Sequence, residues 1–237
     1  MAKSRSAKKN KIGPPAVVTV NSRAYGKHER AARGTWKKAK LNDAMKGHSE
    51  RLIGNNTPAK LILDALAPYK ENFKGGLIWQ KLVKHFARQA KEYKDFSVLG
   101  IEHWDLNAAY ATARIMGPNV KIETDRFSST LNITVNYTFS KRFLERKKSI
   151  TSFRIMIIVM FPDFISNEII TIPVVLPDKL LEDQAPYSFI VQVPAGARSY
   201  LVCFKAEACI NQLVTEDSGK VDKAMCLIKS GEIIPLT

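Results

Sequence analysis

The sequence lacks the long apolar segments that would carry a chain into or across a membrane. Its longest apolar run, residues 155–161, has seven residues, whereas a membrane-spanning helix needs about 20. The first ten residues are charged and no apolar segment follows them, unlike a secretory signal peptide. We therefore expect a soluble, non-secreted protein without a membrane span, located in the cytoplasm or within a particle assembled inside the cell.

Cysteines are few, and they follow no redox or metal-binding pattern. Three occur, an odd number, and no two are spaced as Cys-x-x-Cys. Each lies in an apolar stretch that we interpret as a strand, where a free cysteine behaves as a small hydrophobic residue. We expect reduced core thiols at Cys203, Cys209 and Cys226, and we leave open a Cys203–Cys226 disulfide between neighbouring strands.

Motifs of catalytic sites are missing as well. None of the four histidines lies in His-Glu-x-x-His or at zinc spacing from a cysteine, and there is no phosphate-binding glycine loop or Gly-x-Ser-x-Gly. One local cluster remains, His103-Trp104-Asp105, in which a strand would place His103 and Asp105 on the same face. No nucleophile is identifiable near it, so we expect a protein that is not an enzyme and has no cofactor or metal.

Positive charge is abundant and unevenly placed. Residues 1–50 hold 13 Lys or Arg against 3 acids, residues 51–100 hold 9 against 4, and residues 101–237 hold 15 of each. The whole net charge of +15 therefore lies in the first hundred residues. This segregation indicates a polyanionic partner, DNA or RNA, or an acidic protein surface. The basic segment 141–148, interpreted as a hairpin tip, either extends this surface or is simply solvated.

The most basic segment is the N-terminal one. We predict that residues 1–22 form a flexible basic arm, because they hold several cations and too few apolar residues for a core. Trp36 lies among further cations, where it either stacks on a base or anchors its segment to the fold. The candidate nucleic-acid-binding residues of the first fifty positions are Lys3, Arg5, Lys8, Lys9, Lys11, Arg30, Arg33, Trp36, Lys37, Lys38 and Lys40.

Helices are predicted throughout residues 23–95, the basic helical region. Residues 27–52 show weak helical periodicity, interrupted by glycines. Thr57 and Pro58 are typical of a helix start, and Pro68 of its end.

A third helix over residues 76–94 has the clearest pattern, with apolar residues recurring at steps of three and four. Four cations recur at similar steps on another face. This basic face either contacts a phosphate backbone or is an ordinary solvated helix face. Its members are Lys81, Lys84, Arg88 and Lys91.

From residue 96 onward, short strands and turn signals dominate. Residues 131–138 alternate apolar and polar side chains, whereas residues 153–161 and 169–176 are more continuously apolar and predict interior strands. Residues 106–116 fit either a short helix or an extended segment. We predict an α+β protein in which residues 96–237 form an antiparallel Ig-like β-sandwich.

The N-terminal region also carries a resemblance to a known family. Gly26-Lys27, followed by Gly34-Thr35-Trp36-Lys37, is similar to a signature of an uncharacterised bacterial family of small basic proteins with an Ig-like C-terminal domain. The resemblance implies an Ig-like sandwich and disfavours an enzyme. It implies no site residues, because the family has no established activity.

Two functions remain open on these grounds. The first is a non-enzymatic structural or assembly protein that uses its basic arm in a larger complex or by self-association, as in a virion. The alternative is a sequence-nonspecific nucleic-acid-binding protein that contacts phosphates with its basic N-terminal region. The two are compatible, since a packaging protein does both.

Overall fold

The computed structural model divides the chain into two compact units, residues 1–50 and residues 51–237. The predicted domain boundaries after residues 22 and 95 stay a prediction. The residues that the structure describes are 17–22, 26–31, 43–70, 73, 77–92, 96–108, 110–125, 129–146, 149–177, 179–180, 186–210, 213–214 and 223–233.

The first unit contains a β-hairpin. Strand β1 (Val17–Ser22) pairs antiparallel with β2 (Gly26–Ala31). Gly26 has a φ of +63°, a backbone conformation that glycine adopts without strain and that suits the end of a turn. The predicted helix from residue 27 is therefore wrong for residues 27–31. Pairing with the β-branched residues of β1 supplies ladder hydrogen bonds that a local helical pattern does not reveal.

Helix α1 (Asp43–Lys70) is longer than the sequence predicts. It runs through Thr57 and Pro58, where a helix start is predicted, and it continues two residues beyond Pro68. The Thr57 hydroxyl donates to the carbonyl of Ile53 at 3.0 Å. It therefore bonds back into the preceding turn instead of capping a new helix. Pro58 and Pro68 both lack an N–H group, so α1 tolerates two missing hydrogen bonds inside its length.

Helix α2 (Ile78–Glu92) confirms the helix predicted from the apolar pattern. Its residues Ile78, Leu82 and Phe86 are buried in a hydrophobic cluster with Ile62 and Leu66 of α1. This cluster also contains residues from one face of a β-sheet. Helix α2, together with the C-terminal part of α1, therefore forms a helical layer on that sheet.

The remaining elements are strands and two short helices. In chain order they are β3 (Trp104–Asp105), α3 (Thr112–Ile115), β4 (Met116–Asp125), β5 (Thr130–Phe139), α4 (Lys141–Arg146), β6 (Ser152–Asp163), β7 (Glu168–Val175), β8 (Lys179–Leu180), β9 (Tyr187–Gln192), β10 (Ser199–Ile210), β11 (Leu213–Val214) and β12 (Lys223–Glu232). The segment 106–116 thus contains both a short helix and the start of a strand. Segment 141–146 is a helix, so its interpretation as a hairpin tip is wrong.

The strands of the second unit form two antiparallel sheets. The larger has the order β3-β12-β10-β6-β7, with β11 beside β10 and β8 beside β6, and the smaller has the order β4-β5-β9. Helices together with antiparallel sheets confirm the α+β class. Both sheets are open, and an Ig-like sandwich is not established by this strand order.

The larger sheet is the middle layer of the second unit. Its strand β10 is buried from Ser199 to Cys209. Val202 and Phe204 face a cluster shared with the smaller sheet, whereas Leu201 and Cys203 face the helical layer. This double burial explains why the centre of β10 reads as a continuous apolar run rather than an alternating one.

Strand β7 has a different position from the predicted one. It lies at the edge of the larger sheet, and each of its residues is exposed or half-buried. The prediction of an interior strand over residues 169–176 is therefore wrong for β7. Strand β6 (Ser152–Asp163), between β10 and β7, confirms the interior strand predicted over residues 153–161.

Candidate functional site

The best-defined candidate site is the outward face of α2. Because an α-helix repeats every 3.6 residues, burial of Ile78, Leu82 and Phe86 against the sheet turns the opposite side of the helix to solvent. Three cations occupy that side and are exposed. The end members lie about 10 Å apart along the helix axis. We call this set the α2 cationic face, and its members are Lys81, Lys84 and Arg88.

The acids that the structure describes do not neutralise the α2 cationic face. Among the described residues, no carboxylate forms a salt bridge with its three side chains. On α1, by contrast, Lys60 pairs with Asp64 at 2.9 Å. The Lys81 ammonium lies 5.9 Å from the ring centroid of Trp104 and makes a cation–π contact with it. The α2 cationic face therefore presents a concentrated positive potential.

A hydrogen-bonded clamp fixes α2 to the segment that follows it. The Gln89 side chain accepts from the Ser97 amide and donates to the Ser97 carbonyl, both at 2.9 Å. The His85 Nε2 lies 3.1 Å from the same carbonyl. Burial lowers the pKa of His85 from its usual value of 6.5, and the positive charge of Arg88 lowers the pKa further. The hydrogen bond with the Ser97 carbonyl raises the pKa and so offsets part of this decrease. The clamp holds α2 in place from beside its cationic face.

The side chains of the other predicted nucleic-acid-binding residues lie outside what the structure describes. Arg30 lies in β2 and Lys91 lies in α2, and the side chains of both are outside the described part of the chain. Ten further candidates lie outside the described residues altogether, namely Lys3, Arg5, Lys8, Lys9, Lys11, Arg33, Trp36, Lys37, Lys38 and Lys40.

The His103-Trp104-Asp105 cluster has a different geometry from the predicted one. His103 has a φ of +57° and precedes the two-residue strand β3, so the strand that would align it with Asp105 does not include it. The carboxylate of Asp105 accepts a hydrogen bond from the Thr112 amide at 2.8 Å. Asp105 therefore positions α3. In the described parts of the chain, no group of three or more His, Cys, Asp or Glu is arranged to hold a metal ion.

The three cysteines form no disulfide with one another and are buried. Cys203 faces the helical layer, whereas Cys226 faces the smaller sheet. The disulfide that the sequence left open is therefore excluded, because the two side chains project from opposite faces of the larger sheet. Burial raises the pKa of Cys226 to about 12 and that of Cys203 well above its ordinary value.

Sequence reasoning missed a buried ionic cluster on the larger sheet. The Glu207 carboxylate lies 2.9 Å from the Lys205 ammonium and 3.7 Å from that of Lys223. All three side chains are at most 10% exposed. The available signal was a Lys and a Glu two residues apart in an apolar strand, which places both on one face. Buried charges persist only when paired, so this cluster is a structural feature of the sheet.

The outer edge of the larger sheet is a second exposed feature. Strands β7 and β8 both pair with β6, and the amide of Leu176 between them donates to the Ile155 carbonyl at 2.9 Å. Residues 168–177 and 179–180 thus follow one edge. Among the described residues, no strand pairs with the outer side of this edge. Ile170 and Val175 on β7 are 51% and 56% exposed.

Comparison of the chain with protein-family models, with curated proteins and with solved structures finds no match. No helix among the described residues is long and apolar enough to cross a membrane.

Proposed function

We propose that the protein is a non-enzymatic structural component of a larger assembly and that it binds nucleic acid through the α2 cationic face. The observation that carries this proposal is the placement of Lys81, Lys84 and Arg88. All three are exposed on one side of a helix whose opposite side is buried in the core. A helix fixed in this way presents its cations in a constant geometry.

The spacing of the α2 cationic face suits a phosphate backbone. Phosphates of one DNA strand recur every 3.4 Å along the helix axis, so a face about 10 Å long spans about three steps. Lys and Arg contacts with phosphates carry no base information, and the binding we expect is independent of sequence and steeply dependent on salt. The excess of cations in residues 1–50 adds to this attraction.

Salt-dependent binding of single variants tests the α2 contact. For duplex DNA, each lost phosphate contact lowers the slope of log affinity against log salt by about 0.9. We expect this change for Lys84→Ala and for Arg88→Ala. Lys60→Ala is the matched control, because Lys60 is exposed on a helix but already paired with Asp64. Equal slopes for all three variants would remove α2 from the binding surface.

A second candidate function, self-association, is favoured by the outer edge of the larger sheet. An edge strand offers unpaired backbone groups to another chain. On β7 the exposed side chains of Ile170 and Val175 supply apolar surface that a second chain could cover. Pro173 withholds one donor, so we place the contact at the two ends of β7. The occupant we propose is β7 of a second copy, because antiparallel pairing of one edge with itself is symmetric.

The oligomeric state tests this second candidate. We expect light scattering to find a dimer or larger species whose population falls in Ile170→Lys. The control is Thr138→Lys, which adds the same charge on an exposed position of β5 in the smaller sheet. A monomer at all concentrations, or an equal effect of both variants, would exclude the β7 edge as an association surface.

We retain the Ig-like arrangement as part of the proposal. Ig-like domains enclose their core between two antiparallel sheets. The packing of β5 against β6 and β10 in one cluster supports this arrangement, and the helical layer is an addition on the other face. An experimental structure tests it through the connections between the two sheets.

A further inference from the structure

A cleft of about 670 Å³ lies between the two short helices α3 and α4. Three arginines contribute to its walls, together with a serine and two aromatic side chains. The residues concerned are Tyr110, Arg114, Ser140, Arg142, Phe143 and Arg146. We call this the arginine cleft.

The pairing of β4 with β5 brings the arginines together. In this ladder Met116, the first residue of β4, lies opposite Phe139, the last residue of β5. Helix α3 directly precedes β4 and helix α4 closely follows β5, so both helices emerge at the same end of the strand pair. The Ser140 amide donates to the Ile115 carbonyl at 2.9 Å and fixes the two helices side by side.

Charge in the arginine cleft is uncompensated by the acids that the structure describes. No salt bridge between a described carboxylate and Arg114, Arg142 or Arg146 is present. The acid of α4, Glu145, is exposed and does not line the cleft. Three like charges around one cleft repel one another, and an anion bound between them relieves that repulsion.

The chemistry of the walls favours a phosphate group. A guanidinium presents N–H donors in a fixed fork that matches two oxygens of a phosphate, and the Ser140 hydroxyl is a further donor. Phe143 is buried in the core, and Tyr110 packs against its edge with ring centroids 6.1 Å apart. The half-buried Tyr110 ring is thereby held as a flat apolar wall, on which a planar base can stack.

We propose that the arginine cleft binds a phosphate monoester carried by a nucleoside. This chemistry occurs in a free mononucleotide and at the 5′ end of a polynucleotide. The site is separate from the α2 cationic face, because Phe143 packs on the smaller-sheet side of the larger sheet and α2 packs on the other side. The inference therefore stands or fails independently of the proposed function of α2.

Titration calorimetry with the full-length protein tests the arginine cleft. The probes are adenosine 5′-monophosphate, adenosine, and one short oligonucleotide with a 5′-phosphate or a 5′-hydroxyl. We expect the phosphate to strengthen binding by about tenfold or more over the matching ligand without it. Binding of the mononucleotide would identify a free nucleotide as the source, and binding of only the phosphorylated oligonucleotide would identify a strand end.

Variants locate the binding in the cleft. We expect Arg142→Ala and Arg114→Ala each to lower the affinity about tenfold. Arg142→Lys should lower the affinity less, because lysine keeps the positive charge but lacks the forked pair of N–H donors. Arg198→Ala is the control, because Arg198 is exposed in the turn before β10 and does not line the cleft. The proposal is overturned if phosphate gives no advantage, or if Arg198→Ala weakens binding as much as Arg142→Ala.

Discussion

Tyr200 of β10 lies directly opposite Gly231 of β12, and its ring occupies the space that a Cβ atom at position 231 would need. The glycine therefore permits a tyrosine ring to lie flat across the neighbouring strand at the end of the larger sheet. Burial of this ring raises the pKa of Tyr200.

Replacing Gly231 tests this contact. Gly231→Ala forces the Tyr200 ring or the β12 backbone to shift, and overpacking of this kind costs about 1–3 kcal/mol. The control is Gly117→Ala in β4, where an added Cβ meets nothing within 4 Å. We expect urea denaturation to find Gly231→Ala clearly less stable than the wild type and Gly117→Ala close to it. Equal stabilities for the two variants would contradict the contact.

The His85 clamp predicts a pH dependence of stability. The pKa of His85 is lowered in the fold, so the unfolded chain binds a proton more readily than the folded one. Its contribution is fully present above the unfolded pKa of about 6.5 and is lost as the pH falls toward the folded value. We expect the free energy of unfolding to decrease between pH 7.5 and pH 5.5. His85→Gln should flatten that decrease, and an unchanged pH profile in the variant would refute the role of His85.

The buried ionic cluster predicts an asymmetric response to mutation. Glu207→Gln removes the carboxylate that the buried ammonium groups of Lys205 and Lys223 contact, and loss of one partner of a buried pair costs about 3–5 kcal/mol. Glu102→Gln is the control, since Glu102 pairs with Lys229 at 3.1 Å but with both side chains more than 30% exposed. There we expect a loss of at most about 1 kcal/mol. Similar losses in thermal or chemical unfolding would show that burial of the cluster is unimportant.

The burial of the three thiols leads us to expect that they react slowly in the folded protein. A rise in the pKa of Cys226 from 9.0 to about 12 lowers its thiolate fraction about 1,000-fold at neutral pH. Cys203 and Cys209 are also buried. We expect a thiol reagent to label the chain in denaturant at once and the native protein only at the rate of unfolding. Fast labelling of native Cys226 is the contradicting result.

How far the sequence predicted the fold depends on how local each signal is. The alternation of residues 131–138 and the apolar run of residues 153–161 lie within β5 and β6, because periodicity reports burial directly. The strand β2 was missed because its stability comes from β1. The edge position of β7 was missed because strand order is a property of the whole sheet.

The candidate sites also differ in how local their sequence signals are. The α2 cationic face follows from spacing along one helix, and the exposure of Lys81, Lys84 and Arg88 agrees with it. The arginine cleft joins Arg114 and Arg142 through the register of β4 and β5, and a sequence pattern does not contain that register. The pair Lys205 and Glu207 was visible in the sequence, but their burial depends on layers from distant segments.

Charge reversal of the α2 cationic face in the full-length protein tests the central claim most directly. The measurement compares nucleic-acid affinity across a salt series for the wild type, for Lys81→Glu, Lys84→Glu and Arg88→Glu combined, and for an equal reversal at Lys46, Lys60 and Arg198. We predict that the α2 variant loses far more affinity and salt dependence than the scattered one. Equal losses in the two triple variants would contradict the claim, because net charge alone would then explain binding.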